Sequence, residues 1–316
     1  MPAESSWFAP TPPTIAVELA SRRLTVVELG RGASSPLVGY ASEPLPPGAL
    51  SPAPSGPNIQ NPSAVLEALK RGLDRAGVRK SARVALVIPD NAARVSLLPF
   101  EQLPSKSADV DQLIRWKLKK STPFPIEDAQ IAWFVAHKSE TGPMVAATVA
   151  RRDVVAQYES VATAAGLHAG IVDVASFNVM NAVIGAGGAP ASDWLLVTLA
   201  PEATTLTIGR GSDLMFYRHR AAVEEEGLSA LVHQTAMFHE DRLGGTKFSR
   251  VWLCGGGLGT GADDVRREIR DRLNVPVEVV DVRQASEMGS KINASTDVLD
   301  ALAAPIGALL RDRKAA

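Results

Sequence analysis

The feature that most narrows what this chain can fold into is a strand, a tight turn and a second strand, written twice and far apart. Thr14-Ile15-Ala16-Val17-Glu18-Leu19 and Leu24-Thr25-Val26-Val27-Glu28-Leu29 are β-prone runs separated by Ala20-Ser21-Arg22-Arg23. Trp194 to Leu199 and Thr204 to Gly209 repeat the theme, and Leu214 to Arg218 adds a third strand. Each pair carries a hairpin signature. Two units that open in the same way are what duplication of one α/β lobe produces.

The segments between these openings fit that plan. Seven prolines at positions 44, 46, 47, 52, 54, 57 and 62 make Glu43 to Pro62 an extended loop rather than a core element. Ser63 is expected to cap a helix from Ala64 to Ala76, whose Val65, Leu66, Leu69 and Leu73 share a face and which Gly77 closes. Arg83 to Ile88 reads as a buried strand that leaves its sheet at Pro89-Asp90-Asn91. A new unit then begins. It has strands at Val95 to Leu98, Gln130 to His137 and Met144 to Ala150, and helices at Asp109 to Lys119 and Asp153 to Ala165. A strand at Ala169 to Val174 and a helix at Ser176 to Ile184 lead to Gly185-Ala186-Gly187-Gly188-Ala189-Pro190, the best hinge in the chain. After the second opening come helices at Gly227 to Arg242, Asp263 to Leu273 and Val298 to Arg311, with strands at Val251 to Cys254 and Val277 to Val280. The expected fold is α/β and actin-like, of the actin, sugar-kinase and heat-shock-70 type, with two lobes around a cleft. The expected boundaries are a tail at 1–13, the first lobe at 14–91 and 166–190, a small α+β unit at 92–165, the second lobe at 191–297 and a terminal helix at 298–316 returning to the first lobe.

Composition removes several function classes. With 33 basic and 34 acidic residues the formal charge is −1, so no overall field draws the chain to nucleic acid or to an acidic membrane. One cysteine, Cys254, forbids an intrachain disulfide and a multi-cysteine zinc site, and Val251-Trp252-Leu253-Cys254 reads it as apolar filler of a buried strand. Met1 to Pro13 lacks the basic and apolar regions of a signal peptide, and no window approaches a membrane span. Asn293-Ala294-Ser295 has the form of a glycosylation site and reads as coincidental. There is no G-x-x-x-x-G-K-[ST] loop, no H-E-x-x-H and no G-x-S-x-G elbow. His233 and His239 fall on different faces of their helix, which argues against a metal pair, and Glu224-Glu225-Glu226 supplies charge near that helix's start.

Four segments in order, Ile114-Arg115-Trp116-Lys117, Pro123-Phe124-Pro125-Ile126, Val172-Asp173-Val174-Ala175-Ser176-Phe177 and Gly255-Gly256-Gly257, resemble the PilM family of type IV pilus assembly proteins. The resemblance covers about residues 14 to 311. It implies a fold similar to the cell-division protein FtsA with a subdomain inserted in the first lobe, the place that 92–165 occupies. It also implies a cytoplasmic scaffold at the inner-membrane pilus platform, one that binds the N-terminal cytoplasmic peptide of a PilN-like membrane protein and meets other platform proteins. ATP between the lobes belongs to the same picture, and here the residues depart from it.

Phosphate binding in such a cleft needs two tight turns with exposed N–H groups and a carboxylate beside each. The family pattern, Asp-x-Gly and a small polar residue, becomes Glu18-Leu19-Ala20-Ser21 at the first turn and Thr198-Leu199-Ala200 at the second. Glu18 sits one methylene further out, Ala20 adds a Cβ where backbone should meet phosphate, and Thr198 supplies no metal-organising charge. Leu231 stands where relatives place a ribose-contacting Glu. Gly255-Gly256-Gly257 keeps the turn against which a base and sugar would lie; the alternative is that the turn serves packing alone. The expectation is a vestigial nucleotide cleft, no catalytic or metal-ligating residue, no ATP hydrolysis and no assured cofactor. For the partner peptide, Trp116 and Phe124 are expected to line a groove and Arg115 to meet a carboxylate or carbonyl; the alternative is that both aromatics fill the small unit's core.

Two other readings compete. An NAD-dependent oxidoreductase is one: Gly257-Leu258-Gly259-Thr260-Gly261-Ala262, with Asp281 at the end of the next strand, has the form of a dinucleotide fingerprint. It lies late in the chain, with one short βαβ unit after it and no acid, base or hydride-site constellation beside it. A sugar kinase or actin-like ATPase would share the fold but requires a carboxylate that Thr198 lacks.

Overall fold

The computed structural model describes residues 11–32, 35–78, 82–221, 227–255, 262–283, 285–286 and 295–311. Strands β1 (Ile15–Ala20), β2 (Arg23–Leu29) and β3 (Leu37–Pro44) form an antiparallel meander; β4 (Arg83–Ile88) and β8 (His168–Val174) extend it in parallel, in the order β3-β2-β1-β4-β8. The second sheet repeats this design. Strands β9 (Asp193–Ala200), β10 (Ala203–Arg210) and β11 (Asp213–Ala221) are antiparallel, β12 (Arg250–Cys254) and β13 (Val277–Val279) are parallel, and the order is β11-β10-β9-β12-β13. The fold is actin-like α/β. Register makes the duplication residue-specific: Glu18 pairs with Thr25 across the first hairpin as Thr198 pairs with Thr205 across the second.

A third, antiparallel sheet joins β5 (Ala93–Pro99), β7 (Gly142–Arg151) and β6 (Ala129–Ser139) in the order β5-β7-β6. Its core combines Val145, Ala147 and Val149 with Val110, Ile114 and Leu118 of helix α2 (Ser107–Leu118). Helix α3 (Arg152–Ala164), expected in this unit, belongs elsewhere. Its Val154, Val155, Tyr158 and Val161 are buried in the core of the first sheet, because the chain has already crossed back by Arg152.

Helix α1 (Pro62–Ala76) is capped two residues earlier than expected. Asn61 Oδ1 accepts from Ala64 N at 3.0 Å and Pro62 takes the first helical position, where its missing N–H costs nothing. The proline-rich connection before it is irregular as predicted, yet Leu45, Ala49, Leu50 and Ile59 are buried in the core. Tyr158 Oη donates to the buried Asn58 at 2.9 Å and fixes the loop to α3. Strand β3 lies where no strand is predicted; Gly39 and Pro44 dilute its β signal, and it forms as the free edge of the sheet.

Helix α4 (Ala175–Gly185) follows β8; α5 (Leu228–Leu243) and α6 (Ala262–Leu273) cover the second sheet; α7 (Thr296–Leu310) returns to the first. Helix α7 packs on α4 and against β1, β2 and β4. The helices approach so closely that a Cβ on Gly307 would strike the carbonyl oxygen of Asn178.

Candidate functional site: an interlobe cleft and the groove beside it

The two hairpin turns face one another across a cleft. Ala20, Arg22 and Arg23 come from the first turn and Ala200, Pro201 and Glu202 from the second, while Asp90, Cys254, Gly255 and Asp300 close the floor. The cavity they leave is about 70 Å³, small against the roughly 300–1,000 Å³ of ordinary ligand pockets.

Glu18 is buried at the end of a central strand, and loss of hydration raises its pKa from 4.5 to about 7. Arg23 opposes that rise, whereas Asp90, Asp300 and Glu202 add to it. The Arg23 guanidinium stands 3.9 Å from Glu18 Oε2 and donates to the backbone carbonyl of Asp300 at 3.1 Å. A cation of the protein's own thus lines the cleft. Glu18 Oε2, Ser21 Oγ, Thr198 Oγ1 and Glu202 Oε2 are buried with no hydrogen-bond partner among the described residues. Ala20 is half-buried and Ala200 exposed. Among the described residues no group of three or more His, Cys, Asp or Glu side chains has the geometry to hold a metal ion.

Gly255 has φ +86°, and a Cβ there would collide with the Leu199 carbonyl oxygen, so this glycine is required by the approach of β9. Gly256 and Gly257 lie outside the described residues, as do Glu224, Glu225, Glu226 and the dinucleotide-like segment up to Gly261. The acid proposed for that motif is otherwise engaged: Arg283 chelates Asp281 and holds its carboxyl below the usual range. Leu231 is buried in the core of the second lobe. Cys254 is buried and its thiol pKa is pushed well up by desolvation.

Several residues that sequence reading passed over join the lobes. Asp90, two residues past the end of β4, accepts from Ser176 N (3.1 Å) and Ser176 Oγ (2.8 Å) of α4, and from Thr205 Oγ1 (3.1 Å) of β10. Thr205 Oγ1 also lies 2.9 Å from His219 Nδ1, whose ring reaches Asn91 through Nε2. Tyr217 Oη is 3.1 Å from Ser176 Oγ. The polar exit Pro89-Asp90-Asn91 is the one local signal of this latch.

Next to the cleft runs a groove of about 750 Å³. Its walls are the 52–54 loop, Arg94 and Ser96 of β5, Thr122 and Phe124 after α2, and His219 and Ala221 of β11; Asn91, Pro201 and Glu202 line both groove and cleft. Phe124 borders the groove and also packs against the core of the inserted sheet, half-buried, with the Arg151 guanidinium 5.8 Å from its ring centre. Arg115 and Trp116 do not. Arg115 Nη1 donates to the Ile126 carbonyl at 3.4 Å, and Trp116 is 71% exposed, filling neither groove nor core. Helical spacing explains this: Val110, Ile114 and Leu118 face the sheet, which turns position 116 outward.

A family model described as type IV pilus assembly protein PilM matches residues 16–223. The chain belongs to the PilM family. A solved PilM–PilN type IV pilus biogenesis complex contains a chain with which this PilM family member shares 20% identity, over 96% of its own length and 99% of the other, at a TM-score of 0.81. The cytoplasmic domain of EpsL, an inner membrane component of the type II secretion system of Vibrio cholerae, is similar at a TM-score of 0.50 and 10% identity over 92% and 93% of the two chains. No curated protein matches the sequence significantly.

Proposed function

We propose that this PilM family member is a cytoplasmic scaffold of the type IV pilus inner-membrane platform, peripheral to the membrane through its partners. In this reading it holds the N-terminal cytoplasmic peptide of a PilN-like membrane protein. The observation that carries the reading is the groove of about 750 Å³ between the inserted sheet, the 52–54 loop and the second lobe. Its lining mixes prolines, Phe124 and aliphatic groups with Arg94, Glu202 and His219, which suits an extended peptide that buries alternate side chains. The solved PilM relative is named as a complex with PilN, which supports the same partner class. Titration of a labelled N-terminal peptide of the neighbouring platform protein tests it by fluorescence anisotropy. Phe124→Ala is expected to weaken that binding about tenfold, in line with loss of a buried aromatic anchor. Saturable binding unaltered by Phe124→Ala, or no binding at all, refutes the groove as the peptide site.

The cleft residues do not fit a metal-bound nucleotide. The resemblance places glycines where Ala20 and Ala200 stand and a carboxylate where Thr198 stands, and the Arg23 guanidinium lines the cleft beside Glu18 and the Asp300 carbonyl. We therefore read the chain as a non-enzyme, whose lobes close on protein groups alone. Incubation with ATP and magnesium is expected to release phosphate no faster than buffer does; turnover at ordinary enzyme rates would restore the ATPase reading.

A further inference from the structure

We propose that the outer face of α2 is a docking surface for an anionic lipid bilayer. Trp116, at 71%, is the most exposed of the large apolar side chains of the described residues. Lys119 and Lys120, three and four positions on, are exposed beside it and make no ion pair among the described residues. From Leu113 to Ile126 the sequence holds Arg115, Lys117, Lys119 and Lys120 and no acid, in a chain whose formal charge is −1. The acids nearest in sequence are Asp109 and Asp111 at the start of the helix and Glu127 and Asp128 beyond it, and Asp111 already accepts from the Trp133 indole. Two of the four cations are committed within the protein. Lys117 Nζ donates to the Pro99 carbonyl at 2.8 Å and lies 4.5 Å from the Phe100 ring centre, and Arg115 bonds the Ile126 carbonyl.

What remains outward is an indole flanked by two uncommitted ammonium groups on a convex helix. A convex face gives a peptide no walls. It suits a headgroup layer, in which an indole ring sits at the polar boundary while lysine stems lie along apolar surface and keep their charges among phosphates. Two lysines and one tryptophan make a weak, reversible contact, each lysine worth roughly fivefold in partition near an anionic surface. Why a bilayer should lie at this face rests on the proposed peptide groove: Leu118 and Ser121, at the same end of α2, line that groove. A peptide continuing into a membrane span would bring the helix to the headgroups. Vesicle binding itself does not depend on the peptide.

The experiment is co-sedimentation of the full chain with vesicles of phosphatidylglycerol and phosphatidylcholine, against phosphatidylcholine alone, at low and high salt. Wild-type protein is expected to pellet with the anionic vesicles at low salt only. Lys119→Gln/Lys120→Gln should lower that partition by roughly 25-fold, and brominated lipid should quench less of the fluorescence of Trp116→Phe than of the wild type. All substituted side chains are exposed, so an unchanged Tm accompanies these effects. Equal binding to both vesicle types, no loss in the double variant, or no pelleting with anionic vesicles overturns the proposal. The same variants are titrated with the peptide in the absence of vesicles. Unchanged affinity is expected, and a loss there would make α2 part of the peptide site and overturn bilayer docking. If no peptide binds yet anionic vesicles still do, the groove reading fails and bilayer docking stands.

Discussion

Glu18 is a carboxyl group deprived of hydration and given one distant cation, Arg23 at 3.9 Å, in partial return. Its pKa of about 7 in the fold against 4.5 ordinarily means that the folded chain holds this proton more tightly than the unfolded chain. The associated stability is complete below about pH 4.5 and is lost as pH rises through 7. Over that window the loss amounts to about 3 kcal/mol at most. Glu18→Gln, which cannot ionise, should equal the wild type in denaturant unfolding at pH 4.5 and exceed it at pH 8; parallel behaviour at both pH values would contradict the assignment. Glu18 and Thr198 as matching strand positions of the two hairpins were legible in the sequence, because each sits at a fixed offset from a turn that local β propensity brackets. Arg23 as an internal cation was not. Its partner Asp300 comes from the far end of the chain, and no periodicity encodes that meeting.

At the scale of elements, the close contact of α4 and α7 depends on Gly307. A methyl group at that position meets the Asn178 carbonyl, so the helices must separate and the buried Leu302, Ile306 and Leu309 lose packing. Gly307→Ala is expected to cost about 2 kcal/mol despite the better helix propensity of alanine, read as a lower Tm. Helix α1 offers a milder case: Asn61→Ala removes the acceptor for Ala64 N and should cost about 1 kcal/mol. Helices with one clear apolar stripe, such as α1, were readable to within a residue or two. Strand β3 was not, since an edge strand broken by glycine and ended by proline looks like loop until a neighbour supplies its hydrogen bonds. Helix α3 was found as a helix but assigned to the wrong core, because its amphipathic pattern says that a face is buried and not against which sheet.

For the whole molecule, Asp90 is one tie between the lobes, collecting donors from α4 and β10. Asp90→Ala strips a charged acceptor from three donors and is expected to cost about 2 kcal/mol. It should also speed amide exchange in β10 and β11 and enlarge the radius of gyration in small-angle scattering; exchange unchanged in those strands would show that the lobes are held elsewhere. The two-lobed plan was visible in the repeated hairpin, whereas the latch, built from residues on four separate elements, exists only once the fold has assembled. The return of α7 to the first sheet bears on how the molecule is made. A ribosome delivers β1, β2 and β4 long before it delivers the helix that covers them, so the first lobe must wait with an apolar face uncovered while the second lobe is synthesised and is free to fold. Biosynthesis of this chain therefore has a vulnerable interval, in which a holding chaperone would find its substrate in the half made first.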